Sequence, residues 1–186
     1  MALRRRLVRV RRVQRPVISV GNLSVGGNGK TPLVLELCRR LRNIGHRPAV
    51  VSRGYGRLDG GRVRHWAPGD PPASVRLLGD EAVWYTLRQP EVPVVVGADR
   101  VAACKHAIAD LDVDVLVCDD AFQHIRLARD LDLVAIRARA GFGNGRLLPA
   151  GPLREPVAAL SRAQGLIFTY SEEGQTQDGL AEEHGL

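Results

Sequence analysis

Apolar residues fall in short runs along this chain, and the spacing of the runs predicts strands alternating with helices. Residues 17–20 read as a buried strand. Over 31–43, Leu33, Val34, Leu37, Cys38 and Leu41 share one helical face, Pro32 suits the first turn, and Gly45 supplies a stop signal. A short strand at 48–52 then leads into the loop SRGYGR. Residues 57–79, rich in Gly, Pro and Arg with a weak strand at 63–66, read as an excursion from the main sheet. Further on, a helix is expected at 80–88, a strand at 92–96, a helix at 100–110, and strands at 113–118 and 131–136. Strands and helices in this order predict an α/β fold, a mostly parallel sheet flanked by helices.

The segment after Ile136 carries too many glycines and prolines for regular structure, and loops of that length are either functional or disordered. A short helix at 157–162 and a strand at 166–170 follow. The tail, 171–186, is acidic and poor in apolar residues, so it is expected not to pack. The chain therefore divides into a basic arm (1–15), one domain (16–170) and a tail, with no internal repeat.

A chain of 186 residues with 45% hydrophobic content supports one core but not two full-sized domains. It has no apolar run of the roughly 18 residues a membrane span needs. The start, MALRRRLVRVRRVQR, lacks a secretory apolar region, so export is not expected. The net charge of +7 is almost all arginine, since Lys30 and Lys105 are the only lysines. Seven arginines in the first fifteen residues suit either an anionic membrane surface, at about 1 kcal/mol per basic side chain near it, or a solvated arm. Nucleic acid is not an expected partner, because aromatic residues make up only 4% and none interleave with basic residues outside the arm. Cys38, Cys104 and Cys118 lack metal-binding or redox spacing and read as core thiols.

Candidate chemistry begins at Ser24, Val25, Gly26, Gly27, Asn28, Gly29, Lys30 and Thr31, between a strand and a helix. Apart from Ser24 in the first glycine's place, this is the phosphate-loop pattern. Its glycines let backbone N–H groups form an anion nest, Lys30 would reach the outer phosphates of ATP, and the Thr31 hydroxyl would hold Mg²⁺. A metal-holding carboxylate is expected at a neighbouring strand end, and VDVLVCDDAFQH offers Asp119 and Asp120 there; paired acids in that position equally serve to cap a turn. The base-reading motif of GTPases is absent, as is the extra lysine that a deviant-loop ATPase would place at Val25. GDE at 79–81, read alone, is a helix N-cap with an acidic first turn.

SVGNLSVGGNGKTP, SRGYGR, GDEA, VGADR, DDAFQH and LLPAGPLREP occur in that order, and together they resemble the tetraacyldisaccharide 4'-kinases of lipid A biosynthesis. The resemblance spans about residues 15–170. It implies a phosphate-loop kinase fold and transfer of the ATP γ-phosphate to the 4'-hydroxyl of tetraacyldisaccharide 1-phosphate at the cytoplasmic face of the bacterial inner membrane. It also implies roles for particular residues. Asp80 would activate the sugar hydroxyl, Glu81 would associate with the metal, and Arg53 and Arg100 would lie near phosphates or acceptor. Tyr55, His124, Arg154 and Glu155 would face the lipid headgroup. Ala121 stands where the family has glycine, and alanine would cost about 1 kcal/mol if that backbone requires positive φ. The resemblance further implies a second α/β portion bearing an Asp-His-His motif, largely missing from this sequence, which leaves two alternatives beside the lipid kinase: a truncated ATP-binding module impaired in transfer, or one half of a split enzyme that associates with the missing C-terminal half.

Overall fold

In a computed structural model, residues 9–58, 61–172, 181–182 and 184–185 are described. The elements are β1 (Val17–Gly21), α1 (Lys30–Asn43), β2 (Pro48–Ser52), β3 (Arg64–Trp66), α2 (Val75–Leu78), α3 (Asp80–Arg88), β4 (Val94–Val96), α4 (Arg100–Asp110), β5 (Val115–Asp119), β6 (Leu131–Arg137), a 3-10 helix at Val157–Arg162, and β7 (Gly165–Thr169). Among the described residues the strands form one sheet in the order β3-β4-β2-β5-β1-β6-β7. Every pairing is parallel except that of β3, which lies antiparallel on β4 at one edge.

Helices cover both faces of the central strands, which is why these read as unbroken apolar runs rather than alternating ones. Side chains alternate across a strand, so adjacent residues serve opposite layers. Val51 and Leu116 pack with Ala103, Cys104 and Ala107 of α4. Val50 and Val117 pack on the other face with Val34 and Cys38 of α1 and with Ala82 and Tyr85 of α3. A third cluster, containing Leu23, Phe122, Val134, Ile136, Leu153 and Phe168, fills the space beside β6 and β7. The three cysteines are buried and free, and burial pushes the Cys38 thiol up to about 12.

Four expectations change. The excursion over 57–79 contains an extra helical turn, α2, in a stretch whose prolines hide its periodicity. Asp119 belongs to β5 itself rather than following it. The positive φ near the paired acids falls on Asp120 (49°), one residue before the family's glycine position, so Ala121 sits unstrained and fully buried. The tail's described residues also make contacts: the His184 ring stacks on Phe168 with centroids 5.7 Å apart, and its Nε2 lies 2.8 Å from the Ala138 carbonyl. The rest of the tail, 173–180, 183 and 186, lies outside the described residues, as do 1–8 of the arm. Where the arm is described it is docked: Arg11 exchanges backbone hydrogen bonds with Arg126 and Ala128, and Arg12 pairs with Asp130 at 2.7 Å. No described helix is long and apolar enough to cross a membrane.

Candidate active site

Four of the six sequence motifs follow the carboxyl ends of parallel strands, where open α/β sheets bind ligands, while GDEA opens α3 and LLPAGPLREP lies in the long segment after β6. The glycine-rich loop follows β1, SRGYGR follows β2, GADR follows β4 and DDAFQH follows β5. The loop is braced from within by Asn28, which is 5% exposed. Its side-chain amide donates to the carbonyls of Ser24 (3.1 Å) and Gly26 (3.2 Å), and it accepts from the Ser24 hydroxyl (3.1 Å). Gly29 then enters α1 with φ 69°, a conformation that an L side chain resists, and a Cβ there would stand 2.9 Å from Thr169. The Val25 N–H is already donated to the Pro152 carbonyl at 2.8 Å, so that amide stitches the loop to the segment before Arg154.

Lys30, at the start of α1, is held at two points. Its ammonium donates to Asn22 Oδ1 at 3.0 Å and stands 3.3 Å from Asp120 Oδ1. Asn22 is fully buried at the end of β1 and does not figure among the sequence candidates; the one signal for it is a lone amide interrupting the apolar run that precedes the loop. Arg154 grips the same Asp120 carboxylate with Nη1, at 2.9 and 3.2 Å. Burial opposes ionisation of Asp120, yet Lys30 and Arg154 outweigh it and hold this carboxyl below its usual range.

Asp119, its neighbour, has the opposite environment. It is 2% exposed; Oδ2 accepts from the Tyr85 hydroxyl at 2.9 Å, while Oδ1 is buried with no partner. Burial pushes its carboxyl up to about 6, against the lowering effect of the Tyr85 hydrogen bond and with Glu81 adding to the rise. A buried carboxylate oxygen left unpaired beside the Thr31 end of the loop suits a hard cation such as Mg²⁺. Among the described residues no three His, Cys, Asp or Glu side chains converge to hold a metal unaided. Mg²⁺ takes one or two carboxylates and fills its shell with phosphate oxygens and water.

Two cavities gather most of the remaining candidates. One, of about 410 Å³, is lined by Thr31, Pro32, Asp80, Glu81 and Trp84, which puts the two acids of the first turn of α3 across from the Thr31 end of α1. Gly79 makes this entry possible: its φ is 88°, and a Cβ would lie 2.4 Å from the Tyr55 carbonyl. The other, of about 380 Å³, is lined by Arg53, Ala98, Arg100, Asp120, Gln123, His124 and Arg154. Arg100 is 3% exposed and donates to the carbonyls of Gly97 (2.6 Å) and Asp119 (3.3 Å), with Nε unpartnered. Burial, reinforced by the nearby arginines, holds His124 below its usual pKa, so it is neutral at pH 7. Two candidates stay outside: Tyr55 is 75% exposed and lines neither cavity, and Glu155 pairs with Arg162 at 2.6 Å.

The sheet order, the glycine-rich loop before α1 and the acids ending β5 define a phosphate-loop kinase fold. Comparison with known proteins narrows this class. The family model described as "Tetraacyldisaccharide-1-P 4'-kinase" matches residues 1–185, and the chain belongs to that family. It is 50% identical to the tetraacyldisaccharide 4'-kinase of Shewanella pealeana over 82% of this chain and 44% of the relative. With that of Geobacter sulfurreducens it shares 46% identity over 94% of this chain and 50% of the relative. A solved structure of LpxK from Aquifex aeolicus in complex with ATP superposes with a TM-score of 0.82 at 37% identity, covering 91% of this chain and 52% of that one. The chain thus spans about half the length of the curated relatives it matches.

Proposed function

We propose that this chain binds ATP with Mg²⁺ and directs the γ-phosphate to the 4'-hydroxyl of a tetraacylated glucosamine disaccharide 1-phosphate, the reaction for which its relatives are named. The observation that carries this reading is Lys30 held between Asn22 and Asp120 at the carboxyl edge of the sheet, with the unpaired oxygen of Asp119 alongside. The glycines at 26, 27 and 29 and the first turn of α1 cradle the triphosphate, and Lys30 neutralises charge on its outer phosphates. Thr31, Asp119 and Glu81 would hold Mg²⁺, which when bound draws charge from the β- and γ-oxygens. Asp120 orients Lys30 and Arg154 rather than taking the metal, because both cations already occupy it.

Asp80 faces the cleft that opens at Thr31, where it would orient the attacking hydroxyl and accept its proton late in a loose transition state. Arg53, Arg100 and Arg154 make a basic pocket, with neutral His124 in its wall, for anionic groups of the acceptor or the travelling phosphate. Work on such an acceptor would take place at the cytoplasmic face of the inner membrane, where the arginine-rich arm would meet anionic lipid.

A second reading of the same loop and Lys30 geometry is nucleotide capture without transfer. Incubation with γ-labelled ATP and tetraacyldisaccharide 1-phosphate separates the two. Labelled lipid that disappears in Asp80→Ala supports the kinase. ATP binding with no labelled lipid supports capture alone.

A further inference from the structure

Tyr85 is not needed to explain the fold in the form it takes. Its ring fills the layer between α1, α3 and the sheet beside Val20, Val34, Leu78 and Val117, a place a phenylalanine would fill equally well. The hydroxyl is extra, and a buried phenol requires a partner. It finds one in a carboxylate rather than a backbone carbonyl: it donates to Asp119 Oδ2 at 2.9 Å, with the Thr31 hydroxyl also in hydrogen-bonding reach of the phenol oxygen. Tyr85 lies one helical turn after Glu81, so one face of α3 carries both an acid of the cleft and the group that touches β5. With Oδ2 fixed in this way, Oδ1 is the single oxygen left for another partner, and it has none among protein atoms.

We propose that Tyr85 is a positioning residue for the metal: its hydroxyl fixes Asp119 so that Oδ1 alone meets Mg²⁺, and it ties α3, with Asp80 and Glu81, to the strand that carries the metal carboxylate. This rests on the nucleotide-binding reading above. Outer groups that orient a metal's ligands typically change metal affinity 10–100-fold when removed, whereas a packing residue changes stability without regard to the metal.

The test is calorimetric titration of the full chain with ATP over a series of Mg²⁺ concentrations, comparing wild type with Tyr85→Phe. The expected result is an ATP affinity without Mg²⁺ within about twofold of wild type, with the Mg²⁺ needed for half-maximal enhancement raised about 10-fold and excess Mg²⁺ restoring full affinity. In an Asp119→Ala background, Tyr85→Phe is expected to change nothing further. A second readout uses the wild-type protein alone: with ¹³C-labelled tyrosine, the Tyr85 ring signal should shift when Mg²⁺ is added to the ATP complex. An unchanged Mg²⁺ dependence in Tyr85→Phe, an equal loss with and without Mg²⁺, or a silent Tyr85 signal overturns this inference alone. A wild-type chain that binds no ATP overturns the nucleotide reading and this inference together.

Discussion

Lys30 Nζ stands 3.3 Å from Asp120 Oδ1, which joins the glycine-rich loop after β1 to the end of β5 before any ligand is involved. Asp120 serves Arg154 as well, so one carboxylate organises two cations 124 residues apart in sequence, one opening α1 and one in the segment after β6. The ammonium and guanidinium hold this carboxyl below its usual range, so its stabilising contribution is present above the unfolded-state value and fades as pH falls. Asp120→Asn should therefore lower the thermal midpoint at pH 7, by about 1 kcal/mol of stability for a partly exposed pair. The gap to wild type should close on acidification as wild-type Asp120 protonates, which thermal unfolding monitored by circular dichroism at pH 7 and pH 3 would show.

Asp119 should behave in the opposite sense. Its carboxyl is raised from 3.8 to about 6. Between those values the folded chain binds more protons than the unfolded one, so this residue makes stability fall as pH rises through that window. In Asp119→Asn, without nucleotide or Mg²⁺, stability at pH 7.5 should increase, by on the order of 3 kcal/mol. The same substitution should abolish the enhancement of ATP binding by Mg²⁺. In wild type that enhancement should weaken as pH drops below about 6, because the metal needs the ionised form. Thermal unfolding and calorimetry at matched pH values check both signs.

Gly29 and Gly27 separate strain from ligand clearance. Gly29→Ala forces a Cβ into a left-handed residue and against Thr169, and should cost about 1–2 kcal/mol of stability. Gly27 has no positive φ, and a Cβ there would meet nothing within 4 Å. Gly27→Ala should leave the unfolding midpoint nearly unchanged while weakening ATP binding, since the added methyl enters space the phosphates use.

Arg154 offers a test of the basic pocket. Arg154→Ala should raise the acceptor KM about 10-fold, the value of a charge-assisted contact, with a smaller effect on the KM for ATP. Arg154→Lys should recover little, because a single ammonium does not reproduce the guanidinium's planar fork. Steady-state kinetics with each substrate varied in turn gives the split.

Much of the fold and site was legible in the chain because the informative signals are local. β1, β2 and α1 are marked by unbroken apolar runs, helical spacing and a glycine stop, and the lone lysine of the first hundred residues marks the loop. What escaped depends on contacts between distant segments. Tyr85 reads as an ordinary core aromatic until β5 brings Asp119 to it across 34 residues. Asn22 reads as a strand-end polar residue until α1 returns Lys30 to it. The glycine- and proline-rich stretch after β6 shows no period, yet Leu153 bridges both Ser24 and Leu147 and folds the stretch onto the loop. The left-handed residue in DDAFQH sits on Asp120, a residue type that tolerates αL, so composition pointed one position too far.

Isothermal titration of the wild-type chain and Lys30→Ala with ATP in saturating Mg²⁺ bears most directly on whether the loop after β1 grips a triphosphate. Wild type should bind at a single site and Lys30→Ala should bind at least about 10-fold more weakly, the loss expected for a charged hydrogen bond to phosphate. Equal affinity in the two proteins, or no binding by wild type, would contradict it.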